Sequence, residues 1–228
     1  MDSKLPLASE PNYNATMHCC FRLSFTRAFT VLIIATTCHV APLAFAQRQQ
    51  PTPTILKGPA DWRFERLPIP PGFAPDIKWT GFEEARFAPG MFVTTSSNYF
   101  TYALTVSVDG IAPIITADVK DFLDKYFKGL STGVGRRKGL APDASQLGAE
   151  VTAVKTDKEL PARFTAKVPF FDTFNDGRKI LLNMEITVLP RSTAKKNFVV
   201  LLISPQPTEA AVWKQLRAIA TSVEKMEN

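Results

Sequence analysis

Two adjacent carboxylates, Glu83 and Glu84, are followed by Arg86 in the stretch TGFEEARFAPGMF, set among Phe82, Phe87 and Phe92. Paired carboxylates can act as acid and base in glycoside hydrolysis, where two carboxyl groups flank the scissile bond about 5–9 Å apart. Glu83, Glu84 and Asp172 are the candidates for that chemistry. An arginine among aromatic rings can instead form a ligand mouth, because aromatics and arginine dominate binding hot spots. Trp79, Arg86 and Phe92 are the candidates for that role. The third reading is an ordinary strand, with Glu84 and Arg86 as solvent-face neighbours worth little in stability. Strand geometry weighs against catalysis. Side chains alternate faces with period two, so Glu83 and Glu84 point apart and cannot converge from one regular strand. Glu84 shares its face with Arg86, and Glu83 shares the other with Phe87. The structural reading leads, and the ligand mouth follows it.

The types of residue that are missing narrow the chemistry further. The chain has three cysteines, Cys19, Cys20 and Cys38, and two histidines, His18 and His39. All five lie within the first 46 residues, which read as a leader. Arg22 and Arg27 precede an apolar run from Ala28 to Cys38, and Ala44-Phe45-Ala46 ends it. A basic region, a short apolar run and an A-x-A site make a secretory signal peptide. Cleavage is expected between Ala46 and Gln47, with Met17 as the true start. The exported product then has neither Cys nor His. Disulfides, thiolate nucleophiles, Cys/His zinc sites and Ser-His-Asp catalysis are excluded from it. Neither a cofactor nor a metal is expected, since the Asn175-Asp176-Gly177 cluster has too few carboxylates around it for a calcium loop. The remaining 182 residues suit one domain with its own core, and their net charge is +5. That permits an anionic contact, for example through Arg136, Arg137 and Lys138 in the Gly-rich stretch GVGRRKG, and does not require one. GVGRRKG lacks the spacing of a nucleotide-binding loop, and no nucleic acid is expected as a partner.

The elements that would position these residues follow from periodicity. Residues 47–60 are polar and proline-bearing and read as a flexible lead-in to a single domain over 61–228. Strands are expected over 61–67, 81–87 and 99–108. In the third, Phe100, Tyr102, Leu104, Val106 and Val108 form a buried face, while Thr101, Ala103, Thr105 and Ser107 form a wet or lightly covered one. Val119, Phe122, Leu123, Tyr126, Phe127 and Leu130 recur at helical spacing. Thr116 is the expected cap of that helix and Gly133 lies past its end, with a basic loop beyond. A strand near 150–155 precedes a long hairpin, 162–174 with 178–189, closed by Asn175-Asp176-Gly177. The continuous apolar run 198–203 reads as a central strand. Thr208, with Glu209 in the first turn, caps a terminal helix striped by Val212, Leu216, Ile219, Ala220 and Val223.

Strands joined by hairpins and interrupted by two helices indicate an α+β fold, an antiparallel sheet with a mid-chain helix and a C-terminal helix packed on it. The amphipathic mid-chain helix, the long hairpin and FVVLLISPQPTEAAVWKQLRAIATSV together resemble the PsbP-like fold. That fold is shared by photosystem II extrinsic proteins, a nuclear import factor and assorted bacterial exported proteins. The helix-grip fold is the alternative. The block FEEARFAPGMF with FTYAL also resembles a family of uncharacterised exported bacterial proteins, which brings no activity with it. The expectation is therefore a periplasmic or extracellular, non-catalytic binding or accessory module. Its partner would be a protein or small ligand outside the cytoplasm. The alternative is an exported carboxylate-dependent hydrolase acting on a glycan.

Overall fold

The computed structural model describes residues 54–155 and 161–226. The expected leader and the Ala46–Gln47 cleavage point lie outside the described residues. Three strands come first: β1 (Arg63–Ile69), β2 (Gly81–Phe87) and β3 (Tyr102–Asp109). The helix α1 (Thr116–Gly129) follows, continues as a π-helical turn over Leu130–Val134, and ends in the short α2 (Gly135–Arg137). Then come β4 (Glu150–Ala153), β5 (Ala162–Phe171), β6 (Lys179–Arg191), β7 (Lys196–Ser204) and the helix α3 (Ala211–Glu224). The strands form one sheet in the order β1-β2-β3-β7-β6-β5-β4, and every pairing is antiparallel. This is the expected α+β architecture. The apolar run at 198–203 lies in β7, the middle strand of the seven, as its composition requires.

The two long helices cover opposite faces of the sheet. Val119, Phe122, Leu123 and Phe127 of α1 pack on Leu104, Val106 and their neighbours. Trp213, Leu216 and Ile219 of α3 pack on Ala103, Val200 and Leu202. The second face of β3 is therefore dry: Thr101, Thr105 and Ser107 are buried, where a wet or lightly covered face was expected. The chain returns from β7 to lay α3 on that face, and residues 55–56 and Trp62 join the cluster there.

Helix boundaries differ from the sequence reading for local reasons. Thr116 is the first helical residue and not the cap. The Ile115 N–H at the helix entry is taken up by the Asp118 carboxylate at 3.0 Å, so the acid in the first turn does the capping. Thr208 and Glu209 lie before α3, whose cap position is Ala210, because a turn closed by the Ala210 N–H on the Pro207 carbonyl occupies them. The Gly-rich basic stretch is helical as far as Arg137 and is not a loop. Gly139, at φ +74°, turns the chain out of the helix, whereas the glycines before it serve contact. A Cβ on Gly129 would sit 2.3 Å from the Phe73 carbonyl oxygen, and one on Gly135 would sit 2.9 Å from a Thr173 methyl. The hairpin matches expectation: β5 pairs β6 up to Phe171 and Lys179, and Gly177 has φ +75°.

Residues 54–60, expected to belong to a flexible lead-in, lie against the α3 side of the sheet. Ile55 and Leu56 are buried in the same cluster as Trp62 and Trp213.

Candidate functional site

Register determines what each face of β2 meets. Leu67, Val106 and Glu83 are cross-strand neighbours, as are Glu65, Leu104 and Ala85, and Arg63, Tyr102 and Phe87. These residues form the α1 side. Arg66, Thr105 and Glu84 meet on the α3 side, with Phe64, Ala103 and Arg86 next along. Glu83 and Glu84 thus point apart, as period two demands, but neither faces solvent. Their exposures are 3% and 0%.

On the α3 side Glu84 is fully engaged. Its Oε2 accepts the Leu56 N–H at 2.7 Å, and its Oε1 accepts Arg66 Nε at 2.9 Å and Arg66 Nη2. Arg86 does not pair with Glu84, contrary to the expected neighbour pair on a solvent face. Arg86 Nε donates to the Leu56 carbonyl at 3.1 Å, and its guanidinium lies over the Phe64 ring. Two residues spaced i, i+2 on one strand face therefore hold both backbone polar groups of Leu56. A buried amide and carbonyl need such partners, so the pair Glu84 and Arg86 is a clamp for the incoming chain.

On the α1 side Glu83 lines a cavity of about 260 Å³. Small Ala85, next to it on the same face, leaves the space. Tyr126 of α1 donates to Glu83 Oε1 at 3.1 Å. Oε2 is buried and has no hydrogen-bond partner among the described residues. Burial pushes the Glu83 carboxyl up to about 8; the Tyr126 hydrogen bond opposes that rise, and the charge of Glu65 adds to it. Burial, and the proximity of Glu83, also raise the Tyr126 and Tyr102 hydroxyls above their ordinary range. The group at the base of the cavity is thus a neutral carboxylic acid near neutral pH.

Aromatic side chains make the walls. Phe73 meets Tyr126 edge-on at 5.1 Å, and Phe87 lies 5.6 Å from Tyr102. Phe92 and Phe100 approach Phe174 at 5.6 and 6.0 Å, closing the outer side. The turn before β6 positions Phe174. Asp172 accepts the N–H groups of Phe174 and Asn175, the Asn175 side chain at 2.7 Å and the Tyr99 hydroxyl. Leu130, Val134 and Arg137, at helical spacing along the continued helix, complete the lining. Arg63 and Arg137 are exposed and stand at the mouth. The Arg63 guanidinium lies 5.2 Å from the Phe87 ring and pairs with Glu65 at 3.0 Å. Arg137 makes no ion pair among the described residues; its Nε donates to the Gly133 carbonyl at 3.3 Å.

The three residues anticipated as a ligand mouth do not come together. Phe92 lines the cavity. Trp79 stacks flat on Phe122 at 4.5 Å, beside the start of α1. Arg86 is on the opposite face of the sheet. Of the carboxylates considered for hydrolysis, Glu84 and Asp172 are held by structural hydrogen bonds, and only Glu83 reaches the cavity. Of the basic run, Arg137 reaches the mouth, Lys138 donates to the Phe174 carbonyl at 2.6 Å, and Arg136 is exposed. Sequence reading missed Tyr126, Arg63 and Glu65 as site residues, and offered Arg137 only as a surface contact for an anion, not as part of a cavity. The alternation of β1, which places Arg63 and Glu65 on one face, was the available signal.

No protein-family model and no curated protein matches the chain. Among solved structures it is similar to LpqN, a protein involved in cell envelope biogenesis of Mycobacterium tuberculosis, with a TM-score of 0.28 and 15% identity over 75% of this chain and 79% of that one.

Proposed function

We propose that the chain is an exported, non-catalytic binding or accessory module whose small, largely apolar ligand occupies the cavity beside Glu83. The observation that carries this reading is the unpartnered Oε2 of a buried carboxyl in an aromatic-walled space. A buried polar atom without a partner costs about 1–3 kcal/mol, which an apolar residue at position 83 would avoid. Such a cost is retained most readily where a ligand supplies the missing hydrogen bond. The cavity is slightly smaller than the roughly 300–1,000 Å³ of drug-sized sites, so the ligand is a single ring or a short chain. The signal-peptide pattern before Gln47, and the resemblance of the sequence pattern to the PsbP-like fold, support export and an accessory role. The exposed basic side chains at 136–138 would add a weak contact with an anionic surface.

Ring-resonance shifts of Phe92 and Tyr102 on titration with small aromatics test the reading. Saturable shifts that vanish in Ala85→Leu, which fills the space, support it; shifts unaffected by that substitution remove it. N-terminal sequencing of the exported protein should begin at Gln47, and an intact leader would remove the export element.

Glu65 sustains a second reading, as a carboxylate hydrolase. It lies on the same face as Glu83, one cross-strand step along, and it too lines the cavity. A raised acid beside a second carboxylate is the pattern of a glycosidase pair. Turnover of a glycan that disappears in Glu83→Gln, with the fold intact, would favour this reading over the first.

A further inference from the structure

The cavity is graded from one end to the other. At its buried end stand Glu83 Oε2, with no partner, and the Tyr126 hydroxyl, which already donates to Oε1. At its exposed end stand two guanidinium groups, Arg63 and Arg137. Between them the lining is ring edges and faces, chiefly Phe87, Phe92, Tyr102 and Phe174. From this gradient we infer that the ligand is a small hydroxyaryl carboxylate, its ring hydroxyl on Glu83 Oε2 and its carboxylate between Arg137 and Arg63. The inference rests on the binding-module reading and adds the chemical class of the ligand.

Each part of the ligand answers one part of the wall. A neutral carboxyl offers a donor and an acceptor, and a hydroxyl is the small group that can meet both. A ring fits the aromatic middle, where offset and edge-on contacts favour an aromatic over an alkyl chain. A carboxylate at the mouth meets planar guanidinium groups, which bind it through paired hydrogen bonds. The helical extension makes the second arginine available. Had the chain left the helix at Gly129, Arg137 would not follow Leu130 and Val134 on one stripe.

The competing occupant is an amine, drawn to Glu83 as a carboxylate and to the ring faces by cation–π attraction. Arg137, and Arg63 paired with Glu65, leave a net positive mouth that opposes it. The groups facing Glu83 are Glu65 and Arg63 from β1, Tyr102 from β3, Tyr126 from α1 and Arg137 from α2. Of these, Glu83 itself is the one whose charge changes near pH 8. A hydroxyaryl acid meets two opposed changes in that region, a stronger acceptor for its hydroxyl and a second negative charge facing its carboxylate, so its affinity changes less than an amine's. An amine gains affinity over the same interval.

Calorimetry and ring-resonance titrations decide between them, using the protein from residue 47 onward as secreted. The probes are 3-(4-hydroxyphenyl)propionate, its methyl ester, 3-phenylpropionate, tyramine and toluene. The acid should bind more tightly than its ester or the deoxy analogue. Arg137→Gln should weaken the acid about tenfold, the loss of one charge-assisted hydrogen bond, and leave the ester unchanged. Glu83→Leu should weaken the acid about tenfold by the same reasoning and leave 3-phenylpropionate unchanged. Equal binding of acid and ester, or indifference to Arg137→Gln, overturns the carboxylate assignment while toluene binding still upholds the cavity. Tighter binding of tyramine, rising with pH, overturns it in favour of a cation. Failure of every probe, toluene included, overturns both the ligand class and the binding-module reading.

Discussion

Glu83 and Glu84 are consecutive residues of one strand, both buried, and the two faces of the sheet treat them differently. On the α3 face the carboxylate is surrounded by donors: the Leu56 amide and the Arg66 guanidinium. On the α1 face the carboxyl has one donor, Tyr126, and an oxygen left over. Burial raises the pKa of the second to about 8 because little compensates its charge. The comparison teaches how a sheet separates roles at adjacent positions. One face uses its acid to fix the chain, and the other keeps its acid in reserve. Substitutions that remove the charge at the two positions should therefore move stability in opposite directions near pH 8.

The largest effect is expected from Glu84→Ala. Removing one partner of a buried ion pair costs about 3–5 kcal/mol, and Arg66 retains some solvent, so about 3 kcal/mol is expected. The Leu56 amide should lose its hydrogen-exchange protection at the same time. If it stays protected, the clamp is not what holds that segment.

Glu83→Gln should act through pH. The folded protein keeps a proton on Glu83 that the unfolded chain releases near the ordinary value of 4.5, so stability falls with rising pH between 4.5 and about 8. The slope from this group is at most about 1.4 kcal/mol per pH unit. Gln has no proton to release, and the variant should be flat across that interval and more stable than the parent at pH 8. Denaturant midpoints at pH 5, 6.5 and 8 measure this. An unchanged slope in the variant would assign the pH response to another group.

Gly177→Val should cost about 1–2 kcal/mol, since φ +75° is strained for a branched residue. The disturbance belongs to the α1 face alone, because that turn sets Phe174 at the cavity wall. Phe92 resonances should shift while those of Trp213 remain. The smallest effect is expected for Thr105→Val, beside Glu84. The Thr105 hydroxyl is buried without a partner among the described residues, and its loss should stabilise the protein by no more than about 1 kcal/mol. A destabilised Val variant would show that the hydroxyl is bonded after all.

What the sequence could reveal tracks how local each cause is. The bounds of β2, the Gly177 turn and the central position of 198–203 follow from alternation, turn chemistry and an unbroken apolar run, all set within a few residues. The opposed directions of Glu83 and Glu84 follow from period two in the same way. Their burial does not. It depends on Tyr126, 43 residues away, and on Leu56, 28 residues away, and no local pattern announces either. The same holds for Arg137, which reads as a loop residue beside glycines. Those glycines instead let the helix lie against Phe73 and Thr173, and that packing carries the helix far enough to bring Arg137 to the cavity.

The place of β7 in the sheet has a consequence for how the chain is made. β3 and β6 flank it, and β3 ends at Asp109 while β7 begins at Lys196. The β1-β2-β3 meander and the β4-β5-β6 meander therefore share no strand pairing until β7, which follows both in sequence, has been synthesised. Pairings so distant in sequence close late and slowly, because loop entropy must be spent before contacts repay it. Until β7 is available, the edges of β3 and β6 that will flank it have no strand partner on that side. For a protein proposed to cross a membrane as an extended thread, that delay is an asset: the sheet cannot close before β7 is in place, and the chain is easier to thread until then.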